Sequence, residues 1–312
     1  MYNIENINHM WIFLTLTAVI LWSFVNIADN YLVERNKKFG HPIGALVIFS
    51  SLFGFIAALG MFLSIKGSFV LPIKDIGILL VAGLCNVSWI IFYLKALPDE
   101  DVSTVIPWFL TSPFFGYVLG YFILGENLSQ QQLMGGAIIL VGGLLLSIKR
   151  DENAKYAFRW KLIRNMTIAS LLAALWGILF KFVGRESGFW VSSFWEHIGL
   201  GIGGLMIIFF VPAYRKGFSG IMKSDGRQVL SISFFSETAT IIGNLFANYA
   251  ILLVPVSAVL LLEVVQPAIV FILGIFCTVF LPKILAEDIS WKNLLQKGVS
   301  IAIMIAGAVL LT

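Results

Sequence analysis

Residues 86–120 read NVSWIIFYLKALPDEDVSTVIPWFLTSPFFGYVLG, and residues 240–274 read TIIGNLFANYAILLVPVSAVLLLEVVQPAIVFILG. Laid over one another at an offset of 154 positions, Phe92 meets Phe246, Ala96 meets Ala250, and Val102 and Ser103 meet Val256 and Ser257. Pro113 then meets Pro267, Gly120 meets Gly274, and upstream Leu21 and Trp22 meet Leu175 and Trp176. One offset held from Leu21 to Gly120 marks a duplication. Beyond it the register slips to 161, where Leu124, Gly125, Glu126 and Asn127 are answered by Leu285, Ala286, Glu287 and Asp288. A longer ninth segment or its loop absorbs the difference.

The duplicated unit belongs in lipid. Of 312 residues, 59% are hydrophobic and 12% charged, with a mean hydropathy of +0.93, whereas a soluble domain carries about a quarter charged residues. A bilayer core of about 30 Å takes about 20 apolar residues at 1.5 Å each. The runs long enough to cross are 10–31, 43–65, 75–97, 102–124, 129–148, 165–184, 190–213, 228–252, 255–281 and 291–312. The first run lacks a basic leader and a small-residue cleavage pattern, and reads as a retained helix. Breakers such as Gly40-His41-Pro42, Pro98-Asp99-Glu100-Asp101 and Ser224-Asp225-Gly226 separate the runs. The expected fold is an all-α integral membrane protein of ten helices. Its halves, 1–148 and 165–312, are joined by a charged linker, 149–164. An odd number of helices per half makes the duplication an inverted repeat.

Charge agrees with a membrane topology. Arg35, Lys37, Lys38, the basic residues of the linker, Arg215, Lys216, Lys223, Arg227, Lys283 and Lys292 follow odd-numbered runs, against Lys66, Lys74 and Arg185 after even ones. The positive-inside rule then puts the odd loops in the cytoplasm and both termini outside. Basic clusters set between apolar runs speak against a nucleic-acid partner. Cys85 and Cys277 sit apart in apolar runs with no CxxC spacing, so no disulfide frame, metal site or other cofactor is expected.

Polar residues inside these runs mark the candidate site. A carboxylate in hydrocarbon costs about 2.5–3.5 kcal/mol by insertion scales. Glu237 and Glu263 each fall about 13 Å from the surface where their helix begins, which predicts similar depth in antiparallel helices. Facing one cavity, either can carry a coupling proton. Thr240, Asn244 and Asn248 continue a polar stripe from Glu237. Asn86, Trp89 and Tyr93 lie on the third run, and Trp22, Ser23, Asn26 and Asn30 on the first. With Trp108, Thr111, Ser112, Trp176 and Gln266 they outline a central cavity suited to a cationic or zwitterionic ligand through cation–π attraction and hydrogen bonds. The same side chains also serve as interhelical glue. Lys181 and Glu196 are placed to form an ion pair, as a gate or a staple between helices. Asp29, near the end of the first run, reads as solvated. Paired glycines, Gly116 with Gly120 and Gly199 with Gly203, allow close helix packing.

Leu21-Trp22-Ser23, Ser112-Pro113 with Phe114 and Phe115, Leu124-Gly125-Glu126, and the pairs Gly135-Gly136 and Gly142-Gly143 resemble the EamA-type proteins of the drug/metabolite transporter superfamily over essentially the whole chain. The second half departs from the pattern at Gln266-Pro267 and Ala286-Glu287. The resemblance implies a secondary transporter for a small polar metabolite, an amino acid or amine, working by alternating access and in the direction of efflux. The plasma (inner) membrane of a prokaryote is the expected location. Its partners are then lipid, the small-molecule substrate and protons as coupling ion, in a monomer or weak homodimer.

The rival readings are a membrane scaffold or sensor, and an intramembrane enzyme. Gly217-Phe218-Ser219-Gly220 has the look of a serine-protease motif but falls in a basic loop. No HExxH or P-loop pattern occurs. A scaffold has no need of mid-membrane carboxylates.

Overall fold

The computed structural model describes residues 4–36, 42–64, 67–125, 130–146, 148–150, 156–224, 226–254, 256–263 and 265–310. The first half comprises α1 (Ile4–Asn36), α2 (Pro42–Ser64), α3 (Ile73–Leu94), α4 (Val102–Val105), α5 (Ser112–Leu119) and α6 (Gln130–Leu146). A short antiparallel ladder of β1 (Ile148–Arg150) and β2 (Tyr156–Phe158) follows. The second half comprises α7 (Trp160–Ser187), α8 (Phe189–Phe210), α9 (Pro212–Ser224), α10 (Gly226–Leu253), α11 (Val256–Leu262), α12 (Val265–Phe280) and α13 (Trp291–Val309). Among the described residues seven helices are long and apolar enough to cross a membrane, and Met134–Leu146 and Val265–Phe280 are shorter apolar helices. The chain is an all-α membrane protein. Phe13, Leu63, Phe122, Phe210 and Phe280 stand exposed on its outer surface, as lipid requires.

Several expected boundaries move. The linker is shorter than 149–164, because α7 already begins at Trp160. The run 102–124 is not one α-helix: α4 passes through a tightened 3-10 stretch, Ile106–Thr111, into α5, which ends in a π turn over Gly120–Leu124. Pro107 and Pro113 each remove a backbone donor there. Gly125 ends the run at φ 68°, a conformation that favours a residue with no Cβ. The run 255–281 is likewise interrupted, between α11 and α12, two residues before Pro267. The run 190–213 ends early, at Phe210, and the thirteen-residue α9 follows it into the segment between the expected runs. Gly188, at φ 85°, alone joins α7 to α8. Glu126 lies outside the described residues.

Helix pairs α1 with α10, α3 with α7, α2 with α8 and α6 with α13 make the principal contacts. Glycine sets how closely α8 approaches its neighbours. A Cβ on Gly83 would come within 2.3 Å of the Glu196 carbonyl, and one on Gly199 within 2.5 Å of the Leu80 carbonyl, so α3 and α8 touch backbone to backbone. Gly203 gives room to Val87, and on the other side Gly201 and Gly204 give room to Phe55 and Ser51. Two helix hydroxyls turn back on their own carbonyls, Ser23 on Val19 at 2.7 Å and Ser51 on Val47 at 2.6 Å, which satisfies both buried donors.

The turn Pro98–Asp101 is an anchor as well as a breaker. Glu100 pairs with Arg159 at 3.2 Å and Asp99 with Lys161. Asp101 accepts Lys297 of α13 at 2.7 Å. Lys297, only 2% exposed, also meets Glu287 at 3.1 Å and donates to Ser103 Oγ at 2.8 Å. Ser103 in turn donates its backbone N–H, at 3.1 Å, and its hydroxyl to Glu287. The beginnings of α4 and α13 are thereby tied together at one end of the bundle.

Candidate functional site

Where α1, α3, α7, α10 and the interrupted α11–α12 converge, a cavity of about 140 Å³ opens. Glu237, Glu263, Asn244, Asn248, Gln266, Asn26, Trp22, Trp89, Tyr93, Ser112 and Trp176 of the expected set all line it, together with Thr240. Side chains more than two hundred positions apart in sequence meet here, since the α1–α10 and α3–α7 contacts face one another across the space.

Asn86 and Trp108 do not line it. Asn86 stands one layer back, accepting Trp89 Nε1 at 3.0 Å and donating to Glu196 Oε1 at 3.0 Å. Trp108 is buried in the core, its ring about 3.4 Å from where a Gly143 Cβ would sit. Ser23 and Thr111 are spent on backbone carbonyls.

The Lys181–Glu196 ion pair does not form. Lys181 donates to the Val254 carbonyl at 3.3 Å, at the end of α10. Glu196, fully buried, accepts Asn86 and, at 3.1 Å, Trp176 Nε1 on the same oxygen. Its other oxygen lies 2.8 Å from His197 Nδ1, which also contacts the Ser193 carbonyl at 2.8 Å. The α8 face that carries Glu196 turns toward α3 and α7, so its partners are indole and amide donors. Through them one carboxylate holds two tryptophans of the cavity wall, Trp176 directly and Trp89 by way of Asn86.

Asp29, expected to be solvated, and two residues without a sequence signal, Ser50 and Phe109, complete the site. Asp29 lines the cavity, one turn along α1 from Asn26, whose Oδ1 accepts the Tyr93 hydroxyl at 3.2 Å. Helix α1 runs on to Asn36, so Asp29 lies two turns inside it, not at a solvated end. Ser50 donates to Glu237 Oε2 at 2.7 Å, and Phe109 packs edge-on against Trp89 at a centroid distance of 5.4 Å. Period-3.6 spacing from Trp22 and Asn26 to Asp29 was the available signal for the carboxylate.

Asp29, Glu237 and Glu263 all line the cavity, Glu263 from just past the end of α11, before α12 begins. Among the described residues no lysine, arginine or histidine lines the cavity. The side-chain nitrogens of Asn26 and Asn248 and the Ser112 hydroxyl are buried without a partner, all on its wall.

Fold and site together define a polytopic α-helical membrane protein with an acidic, aromatic cavity among its helices. Residues 9–148 match the model of the EamA-like transporter family. The match is consistent with the drug/metabolite transporter superfamily that the motifs resemble. Twenty-eight solved chains match. One, described only as a crystal structure of a protein, superposes with a TM-score of 0.53 over 97% of this chain and 96% of its own, at 16% identity. At that identity the likeness speaks for the fold alone. No curated protein matches the chain.

Proposed function

We propose that the protein is a secondary transporter for a small cationic or zwitterionic metabolite, an amine or amino acid, exported by alternating access with protons as the coupling ion. The carrying observation is the cavity: Asp29, Glu237 and Glu263 line it with Trp22, Trp89, Trp176, Tyr93 and Phe109. Carboxylates and aromatic faces attract an ammonium group. The unpartnered side-chain nitrogens of Asn26 and Asn248 supply donors for a carboxylate or hydroxyl on the same ligand. A carboxyl group released by the substrate can take a proton, and that exchange couples the two fluxes.

Ten crossings in two inverted repeats suit this reading. At the offset of 154, α7 is the counterpart of α1 and α10 that of α3, so the α1–α10 and α3–α7 contacts are one contact made twice. Trp22 and Trp176, counterparts by the same offset, both face the cavity. The α4–α5 and α11–α12 interruptions repeat as well. In contrast, α3 packs closely on α8 while α10 barely touches α2, although symmetry would make these equivalent. Such asymmetry is what one of two access states requires. A monomer in a prokaryotic inner membrane is the simplest assembly, one chain holding the whole cavity.

The test is flux into proteoliposomes of purified protein for a panel of amines and amino acids, with and without a pH gradient, for wild type and Glu263→Gln. Gradient-driven accumulation of a cationic or zwitterionic compound, lost in Glu263→Gln with exchange spared, supports the proposal. Gradient-independent flux removes the proton from it, and transport of anions alone would overturn the substrate class.

A further inference from the structure

A second recess lies outside the cavity, on the flank where α2 and α10 part. Its volume is about 600 Å³, and Phe49, Phe53, Ile56, Phe218, Met222 and Phe234 are among its walls. Phe53 and Phe234 meet edge-on at 5.4 Å, joining the two helices at its back. Its outer lip faces the lipid side of the bundle, with Ile56 57% and Phe234 50% exposed.

Helix α9 closes one end. At thirteen residues it spans about 20 Å and cannot cross a bilayer. Tyr214, Phe218 and Met222 recur every fourth residue on its recess side. Tyr214 is seated so tightly on α2 that a Cβ on Gly44 would come within 2.5 Å of its Cα. Lys216 and Lys223 project from the opposite face and Arg215 from the flank, all three exposed, and α9 carries no acidic residue. A basic, strongly amphipathic helix of this kind lies in the plane of a membrane surface.

We propose that the recess holds an acyl chain of an anionic phospholipid whose phosphate lies among Arg215, Lys216 and Lys223. Two observations select this occupant. The walls are aromatic and aliphatic and open sideways, toward hydrocarbon and not toward water. Among the described residues of α9 the charge is of one sign, and an amphipathic helix lying in the membrane plane holds it at headgroup level, so an anionic headgroup is favoured over a zwitterionic one. The recess is separate from the cavity; the two share no lining residue.

Native mass spectrometry of the purified protein with equal amounts of phosphatidylglycerol and phosphatidylcholine tests this. Wild type is expected to retain one phosphatidylglycerol with a preference of about tenfold or more. Replacing the three cations together, Arg215→Gln, Lys216→Gln and Lys223→Gln, is expected to abolish the preference. Filling the recess with Ile56→Trp, or separately with Met222→Trp, is expected to lower retention of both lipids while the melting temperature in detergent stays that of wild type. Equal retention of the two lipids by wild type would overturn the proposal, as would a preference that survives removal of the cations. Displacement of the lipid by glycerol phosphate alone would show a headgroup site without the acyl chain, and would equally overturn it.

Discussion

Trp22 Nε1 donates to Asn244 Oδ1 at 3.2 Å, fixing the register of α1 against the antiparallel α10. Seven residues toward the same surface along each helix, about 10 Å of rise, stand Asp29 and Glu237. The indole–amide bond therefore sets the two carboxylates level with each other. Ser50 holds Glu237, and Tyr93 donates to Asn26, one turn from Asp29. A single ammonium bridging such a pair loses one charge-assisted hydrogen bond, worth about 1.5–3 kcal/mol, when either is neutralised. Asp29→Asn and Glu237→Gln are each expected to lower apparent substrate affinity by about 10- to 100-fold, with expression unchanged. The double variant is expected to lose less than the product of the two, since both carboxylates share one ligand. Affinities of all three in proteoliposome uptake decide it; full additivity would place the carboxylates in separate sites.

Gly243 offers a gentler change at the same place. A Cβ there would come within 2.6 Å of Trp22 Nε1. Alanine improves a helix by about 1 kcal/mol over glycine where space allows, so Gly243→Ala carries little penalty to α10 itself. The indole must give way, and its bond to Asn244 is lost. Substrate affinity is expected to fall by about two- to tenfold, the value of one neutral hydrogen bond, while the melting temperature moves little. A variant that transports normally would show that the Trp22 position is not part of the site.

Much of this cavity could be read from the sequence because its signals are local. Asn244 and Asn248 recur at helical spacing from Glu237, and Trp22 and Trp176 were tied by the repeat offset. What the sequence could not place were the partners. Lys181 and Glu196 have opposite charges and neighbouring helices, yet helix rotation sends one to the Val254 carbonyl and the other to Trp176 and Asn86. Rotation depends on where Gly83 and Gly199 let α3 and α8 close, a property of packed surfaces and not of one segment. Asp29 was misplaced by a helix end set five residues early. Lys297 falls inside the last apolar run, and its partners Asp101 and Glu287 come from two other loops.

Glu196 is expected to act through the tryptophans it positions. Replacing it by leucine strands the Asn86 amide and the Trp176 indole without acceptors, at about 1–3 kcal/mol for each buried donor. Glu196→Gln keeps a carbonyl oxygen for both and gives up only the contact with His197. Glu196→Leu is therefore expected to lower the melting temperature in detergent clearly, and Glu196→Gln only slightly. Quenching of tryptophan fluorescence by iodide, which reports indole exposure, should rise in the leucine variant alone. Equal behaviour of the two variants would assign the role to charge and not to the hydrogen bonds.

Lys297 presents the largest expected effect on stability. It is nearly inaccessible and faces Asp101, Glu287 and Ser103 at once. Glu287 is kept close by Ser103 and by its own backbone N–H, which donates to Thr278 Oγ1 at 3.0 Å. Gly274 leaves room for that carboxyl group, since a Cβ there would stand 3.3 Å from it. Removing the cation alone leaves buried negative charge uncompensated, and breaking such a pair costs about 3–5 kcal/mol. Lys297→Met is expected to lower the melting temperature markedly and to free the end of α13, read as faster hydrogen exchange at its first turns. Adding Glu287→Gln to Lys297→Met removes one of the stranded charges and is expected to restore part of the loss, although a second residue has been changed. A double variant no more stable than Lys297→Met would show that the cluster contributes through packing of the lysine stem and not through its charge.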